Sequence, residues 1–368
     1  MARKDAIVTQ LRSGVEQLMA MPGISFVRGH GELQADGTVL VNGETLTADN
    51  ILLATGSQSK LPPIPGIDLP CVMTSTELLS IDHVPSRLCI VGAGVIGLEL
   101  AGIFAAYGAD VTVIEFMKEC LPQMDSDIAK RLRKQLEKRG IKFHLGAAVK
   151  SLSPVGEGCQ VTFEKKDKEE TIEAEIVLIA TGRAANIEGI GTPETLAALG
   201  IQVDRRGIVV NPDTFEAAPN IYAIGDVNGR QMLAHAAESQ AHRVINTILG
   251  RKDGLRLEVM PAAVFTTPEV ACVGPTEDQL QADGRDFIVH KGMFRANGRA
   301  LCIGETEGLV KLITDADDHL LAAHIMGPHA ADLIQEVTTY ITLGATLQQL
   351  RDTVHIHPTL SEVLIEVN

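Results

Sequence analysis

The chain has 368 residues, which is long enough for two or three domains that each bury a core. Its composition, with 45% hydrophobic and 21% charged residues, is typical of a folded globular protein and argues against disorder. A formal net charge of −15 at pH 7 disfavours nucleic acid and anionic membranes as partners, so neither is expected.

The N-terminal part of the chain predicts a helix followed by short strands. Ile7, Leu11 and Val15 fall on one stripe of a helix over residues 1–20. No hydrophobic core of a signal peptide is present there, so a cytoplasmic location is expected. A proline-rich connector leads out of this first module at residues 62–66. Turn residues before it separate predicted strands at residues 24–28, 31–33, 39–41 and 49–54.

A complete α/β module is predicted next. Its elements are a buried strand at residues 87–91, a helix at 95–107, a strand at 110–115 and a helix that Ser126 or Asp127 caps and Gly140 ends.

The remaining residues first return to the first module and then form a separate domain. A buried strand at residues 220–225 and a helix at 235–249 are expected to rejoin the first module, because the second is already complete. Beyond residue 254, strands precede helices, which indicates an α+β domain. The predicted domains are residues 1–84 with 212–254, residues 85–211, and residues 255–368.

Two segments of the chain are near copies of each other. Residues 51–57 read ILLATGS and residues 177–183 read VLIATGR. Only the second copy is preceded by a glycine-rich turn, Gly92-x-Gly94-x-x-Gly97. In the second copy, Gly92 lies 89 residues before Thr181. The same distance counted back from Thr55 falls before Met1, so we expect a chain that begins partway through the first of two dinucleotide-binding units.

The glycine-rich turn predicts a dinucleotide site. It lies between a predicted strand and a predicted helix, and Glu115 ends the next strand 18 residues after Gly97. Gly92 allows the tight turn, Gly94 lets a diphosphate approach the backbone, and Gly97 lets the helix pack on the strand. Because Glu115 can accept the ribose hydroxyls and would repel a 2′-phosphate, NAD is favoured over NADP. A glycine turn used only for packing is the alternative.

Two further motifs each have a structural and a functional interpretation. Asp226 ends the predicted strand at residues 220–225, where a carboxylate either caps the next helix or binds the ribityl chain of a flavin. In the segment HIHPTLSE, residues 355–362, Thr359 and Glu362 fit a helix capping box. Alternatively, Glu362 orients the imidazole of His357 as a general base.

The six cysteines give no redox motif and no metal site. No two of them are spaced as CxxC or CxxxxC, and all six are interpreted as small buried hydrophobic residues. They are Cys71, Cys89, Cys120, Cys159, Cys272 and Cys302.

Taken together, these motifs resemble the flavin-dependent pyridine nucleotide–disulfide oxidoreductases, and most closely the dihydrolipoyl dehydrogenases. The resemblance covers the whole chain and includes the segment FRANGRA at residues 294–300. It implies an α/β fold with tandem Rossmann-like FAD and NAD domains, the FAD domain incomplete, and a C-terminal α+β dimerisation domain. The implied partners are a second copy in a homodimer and the lipoyl-bearing subunits of 2-oxoacid dehydrogenase or glycine-cleavage complexes.

The resemblance also assigns site residues. His357 would be the acid/base and Glu362 would orient it, acting on the disulfide of the opposite subunit. FAD would be lined by Gly31, Thr55, Gly56, Ser57, Asp226, Met232, Leu233, Ala234 and His235. NAD would be contacted by Gly92, Ala93, Gly94, Val95, Ile96, Gly97, Leu98, Glu99, Glu115, Val149 and Gly182.

Three features of that family are absent from these residues: its first Gly-x-Gly-x-x-Gly, its CxxxxC redox pair, and a Lys that pairs near the flavin with the Glu matched by Glu99. An N-terminally truncated chain is therefore expected, without dihydrolipoamide-dependent reduction of NAD⁺ on its own. The alternatives are a mercuric reductase-like or NADH oxidase-like enzyme, and a non-catalytic NAD-binding remnant.

Overall fold

The computed structural model describes residues 1–368, and none of its helices is long and apolar enough to cross a lipid bilayer. The first half of the chain contains α1 (Ala2–Met19), β1 (Gly31–Leu33), β2 (Val39–Val41), β3 (Glu44–Leu46), β4 (Ile51–Leu53), β5 (Ser57–Ser59), β6 (Val72–Met73), α2 (Ser75–Leu78), β7 (Arg87–Val91), α3 (Val95–Ala106), β8 (Asp110–Glu115), α4 (Ser126–Lys138), β9 (Lys142–Leu145), β10 (Ala147–Val155), β11 (Gly158–Lys165), β12 (Lys168–Ala174) and β13 (Ile176–Ile179).

The second half contains β14 (Arg183–Ala185), α5 (Pro193–Ala198), β15 (Glu216–Ala218), β16 (Ile221–Ala223), α6 (Ala234–Ile248), β17 (Ala262–Val264), β18 (Glu269–Val273), α7 (Glu277–Ala282), β19 (Ile288–Met293), α8 (Gly298–Ile303), β20 (Leu309–Thr314), β21 (Leu320–Gly327), α9 (Ala330–Thr342) and α10 (Leu347–Asp352). Short 3₁₀ turns lie at Gly225–Asn228, Phe294–Ala296 and Leu360–Leu364.

These elements form two compact units. Unit 1 consists of Met1–Ser59, Leu79–Asp82 and Arg183–Leu255. Unit 2 consists of Lys60–Leu78, His83–Gly182 and Arg256–Asn368.

Unit 1 is built from small sheets and two longer helices. Strands β1, β2 and β3 form an antiparallel sheet, and β15, β16 and β4 form a second sheet in which β16 runs parallel to β4. A core that includes Leu33, Ile190 and Ile221 fills this unit. The helix predicted at the N-terminus is confirmed as α1, but none of its residues is buried.

Unit 2 contains a parallel five-stranded sheet in the order β6-β13-β7-β8-β9. Its central strands β7 and β13 are almost wholly buried, as expected for strands covered on both faces. The predicted strands at residues 87–91 and 110–115 are confirmed with the same bounds, and they pair in parallel from Arg87 opposite Asp110. The second repeat copy therefore enters the sheet beside the strand that leads into the glycine-rich turn, since β13 pairs with β7.

The C-terminal part of unit 2 is an antiparallel sheet with helices. Its strand order is β17-β18-β21-β20-β19, and α9 packs on β21 and β18. The apolar core between them includes Val310, Ile325, Ile334 and Val337. The two helices predicted after the last strand are present as α9 and α10, but the predicted order is wrong in part, because the short helices α7 and α8 lie between the strands.

Three local predictions are wrong. Of the six cysteines interpreted as buried, Cys302 is exposed, and Cys71 and Cys272 are only partly buried. Residues 24–28 are not a strand, because no strand pairs with them; instead the Asn42 side-chain amide donates to the carbonyl of Arg28 over 2.9 Å. The N-cap of α4 is Asp125, and not Ser126 or Asp127. The Asp125 carboxylate accepts from the backbone N–H groups of Asp127 and Ile128, at 3.1 and 3.4 Å, which is the N-cap interaction.

Candidate functional site

The glycine-rich turn joins β7 to α3, and each of its glycines stands in different surroundings. Gly92 has φ +110°, and a Cβ there would lie 2.4 Å from the carbonyl oxygen of Ala180. A Cβ on Gly97 would lie 2.1 Å from the carbonyl oxygen of Gly92. A Cβ on Gly94 would meet nothing within 4 Å. Gly92 and Gly97 are thus required by the packing of the turn, whereas the space beside Gly94 is open to a ligand.

The N-terminus of α3 has the properties of an anion site. Gly94 is the N-cap of this twelve-residue helix, and no side chain caps it. The first backbone N–H groups of a helix have no partner within the helix, and its dipole favours negative charge at that end. With the open space beside Gly94, this end of α3 fits the diphosphate of a dinucleotide.

Glu115 lies at the carboxyl end of β8 next to the glycine turn. Its side chain is largely buried, and its Oε2 accepts from the backbone N–H of Ala93 over 2.6 Å. Its Oε1 accepts from the backbone N–H of Met117 over 2.7 Å. These two bonds fix the carboxylate beside the turn, and each oxygen keeps a lone pair that a ribose hydroxyl can use.

The other residues predicted to contact NAD are spread around this turn. The side chains of Ala93 and Leu98 are fully buried, so they face the core and not a ligand. Val149, on β10, is half-buried and packs against an apolar cluster that includes Phe163. Glu99 accepts from the backbone N–H of Phe265 over 2.8 Å, so its carboxylate has a partner within this chain. Val95, Ile96 and Gly182 are at least partly exposed.

Three polar side chains of unit 1 converge at the carboxyl end of β16. The Ser57 hydroxyl donates to Asp226 Oδ2 over 2.5 Å. Arg183 donates from Nε to the Ser57 hydroxyl (2.6 Å) and from Nη2 to the Ser57 carbonyl (2.7 Å), and its Nε lies 3.8 Å from Asp226 Oδ2. Only Oδ2 of Asp226 is engaged in these bonds. The carboxylate is therefore held in place with Oδ1 available, which fits a polyol chain such as the ribityl group of a flavin.

The remaining residues predicted for the flavin lie in three segments of unit 1. The Thr55 hydroxyl donates to the carbonyl of Asn186 over 2.7 Å, and Gly56 has φ +71°. Gly31 lies in β1 of the separate antiparallel sheet. Residues 232–235 lead into α6, with Ala234 and His235 exposed and Met232 and Leu233 half-buried.

In the C-terminal motif, the Glu362 carboxylate takes part in both the capping box and the contact with His357. Glu362 Oε1 lies 2.9 Å from Nδ1 of His357, and Oε2 accepts from the backbone N–H of Thr359 over 2.8 Å. The Thr359 N–H and then the bond to His357 hold the pKa of Glu362 below its ordinary value. The His357 ring is 79% exposed. Glu362 is thus both the cap of the 3₁₀ turn and the partner of an imidazole that solvent and substrates can reach.

Sequence reasoning missed the role of Arg183. The residue was part of the second repeat copy, and its position directly after Ala-Thr-Gly was the only local signal. Nothing in the spacing shows that its guanidinium reaches Ser57, 126 residues earlier in the chain.

Comparison with known proteins shows the family. The family model described as pyridine nucleotide-disulphide oxidoreductase matches residues 2–241, and the model of that family's dimerisation domain matches residues 260–367. The chain belongs to the pyridine nucleotide-disulphide oxidoreductases. Enzymes of this family of the dihydrolipoyl dehydrogenase type use FAD and NAD.

Individual relatives agree with this assignment. Dihydrolipoyl dehydrogenase 2 of Haloarcula marismortui is 38% identical over 99% of this chain and 78% of its own length. Dihydrolipoyl dehydrogenase 3 of Pseudomonas putida is 37% identical over 99% of this chain and 79% of its own. Among solved structures, the Cu(II) complex of the HOCl-induced flavoprotein disulfide reductase RclA from Escherichia coli superposes with a TM-score of 0.90 at 30% identity, covering 100% of this chain and 84% of that one. The expected N-terminal truncation stays a prediction.

Proposed function

We propose that this chain carries the NAD site, the flavin-contacting Asp226 and the acid–base dyad of a dihydrolipoyl dehydrogenase. Such an enzyme reoxidises protein-bound dihydrolipoamide. The observation that carries the proposal is the contact of 2.9 Å between His357 and Glu362, with the imidazole ring exposed. Bound FAD and NAD would supply the path by which electrons leave the dithiol and reach NAD⁺.

The geometry of the dyad supports a different role for each nitrogen of His357. Glu362 accepts from Nδ1–H, which leaves Nε2 as the basic nitrogen. Nε2 would take the proton of a substrate thiol, because the thiolate and not the thiol attacks a disulfide. Glu362 stays ionised throughout, since its low pKa keeps it a carboxylate at neutral pH, and it stabilises the imidazolium that forms.

The cofactor residues have equally defined tasks. The open space at Gly94 and the uncapped N-terminus of α3 would hold the NAD diphosphate, and Glu115 would accept from the adenosine ribose. Ser57 and Arg183 hold the Asp226 carboxylate for the ribityl chain of FAD.

The assembly follows from the same proposal. The match to a dimerisation domain supports a homodimer. The acid–base role of His357 needs a redox disulfide, which the six free cysteines of these residues do not supply. The names of the relatives support a lipoyl-bearing partner. The proposed partners are the lipoyl-bearing subunits of 2-oxoacid dehydrogenase or glycine-cleavage complexes. The proposed FAD domain is residues 1–84 with 212–254. The proposed NAD domain is residues 85–211, and the proposed dimerisation domain is residues 255–368.

The thiols favour a second candidate, an NAD-binding module without thiol chemistry. Burial raises the pKa of Cys159 to about 12 and that of Cys272 to about 11. Burial likewise raises the pKa of Cys89 and Cys120, so none of these four is a thiolate at neutral pH. This pattern does not favour a mercuric reductase or an NADH oxidase, and the names of the relatives support the dehydrogenase over both.

Two measurements on the purified chain test the proposal. Calorimetry should show tighter binding of NADH than of NADPH, and the double variant Glu115→Arg with Phe116→Arg should reverse this order. Equal affinity of the parent for both would contradict the NAD site. An assay with dihydrolipoamide, NAD⁺ and added FAD should show no turnover by this chain alone, because its cysteines form no CxxxxC pair. Turnover that alkylation abolishes would show that its own thiols serve, and would remove the second candidate.

A further inference from the structure

The segment that leads into His357 has no strand to pair with. Residues 353–357 follow α10 without joining any sheet, and His355 is the one residue among them that is not exposed. Val354 is 95% exposed and Ile356 is 78% exposed, whereas the His355 side chain is 5% exposed. A segment that pairs with no strand depends on its side-chain hydrogen bonds to stay in place.

Two residues of α9 form hydrogen bonds to side chains of this segment. Tyr340 and Glu336 lie one helical turn apart and therefore share a face of the helix. The Tyr340 hydroxyl lies 2.5 Å from the hydroxyl of Thr353, and Glu336 Oε1 lies 2.7 Å from Nε2 of His355. Thr353 is tied to α10 as well, since its hydroxyl donates to the carbonyl of Gln349 over 3.0 Å.

His355 is bonded through both ring nitrogens. Its Nδ1 lies 2.8 Å from the carbonyl oxygen of Thr353, and its Nε2 faces the Glu336 carboxylate. Both of these partners are acceptors, and a neutral imidazole has only one N–H. The ring lies between the Thr353 carbonyl and the Glu336 side chain, which is 29% exposed, and it donates to at least one of them.

His357, by contrast, is not held by packing. Its ring is 79% exposed, and its side-chain bond within the chain is the one from Nδ1 to Glu362. Glu362 is itself fixed by the backbone N–H of Thr359. The imidazole can meet that carboxylate only if the backbone just before it is fixed too.

We propose that Glu336 and Tyr340 are positioning residues for His357. They act through His355 and Thr353, two and four residues before His357. They hold the backbone in the conformation in which Nδ1 of His357 meets Glu362. The inference rests on the proposed role of His357 as acid–base group, and it adds the part of the fold that keeps this group in place.

The test measures the tautomer of His357 in the full chain. Uniformly ¹⁵N-labelled histidine distinguishes Nδ1–H from Nε2–H by NMR at a pH where the ring is neutral, and His357→Gln assigns the signals. The parent should hold the Nδ1–H form, and Glu362→Gln should weaken that preference. Glu336→Ala should shift the ratio of the two tautomers by roughly threefold or more, as expected for loss of the order imposed by one hydrogen bond. Tyr340→Phe should shift it in the same direction, whereas Glu336→Gln, whose amide oxygen still accepts from His355, should stay near the parent.

Controls distinguish a loss of positioning from a general loosening of α9. They also distinguish failure of the positioning role from failure of the acid–base role of His357. Gln335→Ala, at the exposed neighbour of Glu336 on α9, should leave the ratio unchanged. The proposal is overturned if Glu336→Ala and Tyr340→Phe keep the parent ratio while Glu362→Gln changes it, or if Gln335→Ala shifts it as much as they do. Adding dihydrolipoamide to the parent should perturb the His357 signals. If it does not, the acid–base role fails, while the tautomer ratios still decide whether α9 positions the ring.

Discussion

Replacing Lys311 by Met should destabilise unit 2 far more than the loss of an ordinary surface charge. Lys311 is 1% exposed, and its Nζ donates to Asp125 Oδ1 over 2.7 Å and to Glu277 Oε2 over 2.8 Å. Asp125 is also 1% exposed, and it caps α4. Met has a similar length and no charge, so the substitution removes the ammonium group and leaves the carboxylate buried without its cation.

The magnitude follows from what remains behind. Glu277 is 30% exposed and can turn to water, whereas Asp125 cannot. Breaking a buried pair by removing one partner costs about 3–5 kcal/mol of unfolding free energy. The matched control is Lys291→Met, because Lys291 pairs with Asp127 over 3.1 Å but is 41% exposed. An exposed pair of this kind contributes about 0–1 kcal/mol.

The dependence on pH gives a second readout. Burial alone would raise the pKa of Asp125, but the bond from Lys311 and the neighbouring positive charges outweigh it and hold the pKa below its ordinary value. A lowered pKa contributes stability above the ordinary value of about 4, and that contribution is lost as the pH falls through the lowered one. The parent should therefore lose stability in this acid range, and Lys311→Met should lose much less there.

Urea unfolding followed by far-ultraviolet circular dichroism at pH 7 and across the acid range would measure both effects. Adding Asp125→Asn to Lys311→Met should restore part of the loss, because Asn still caps α4 and carries no charge. If Lys311→Met costs no more than Lys291→Met, the buried pair does not have the strength assigned to it here.

Three other outcomes are expected. Gly97→Ala should destabilise the fold by about 2 kcal/mol or more, because its Cβ would overlap a backbone oxygen. Gly94→Ala should fold normally and weaken NADH binding. Thermal melts and calorimetry compare the two variants, and equal melting temperatures would contradict the expected difference. Glu115→Ala should weaken NADH binding by about 1–3 kcal/mol, and calorimetry with unchanged affinity would exclude it from the ribose site. In His357→Gln the pKa of Glu362 should rise toward its ordinary value, although the bond from the Thr359 N–H keeps part of the lowering. A carboxyl ¹³C titration of Glu362 that matches the parent would show that His357 does not affect this pKa.

Much of the NAD half of the fold could be predicted from local sequence. The two parallel strands at 87–91 and 110–115 have the predicted bounds, since a run of apolar residues that ends at a glycine turn or a charge specifies a buried strand within a few residues. The pairing of His357 with Glu362 was also accessible, because five residues that include a proline leave few ways to separate the two side chains. Residues 24–28 had the composition of a strand, but a strand also needs a neighbour, and composition does not show whether one is present.

The contacts that decide the site come from tertiary structure. Arg183 meets Ser57 and Asp226 because β5 pairs with β14, and β16 runs beside β4, all in unit 1. Lys311 meets Asp125, 186 residues away, and Glu336 on α9 meets His355 in the segment after α10. Caps, turns and strand bounds depend on neighbours within a few residues, so the amino-acid order determines them. Pairs distant in sequence form only where the order of strands in a sheet and the packing of helices bring them together, and no local pattern records that order.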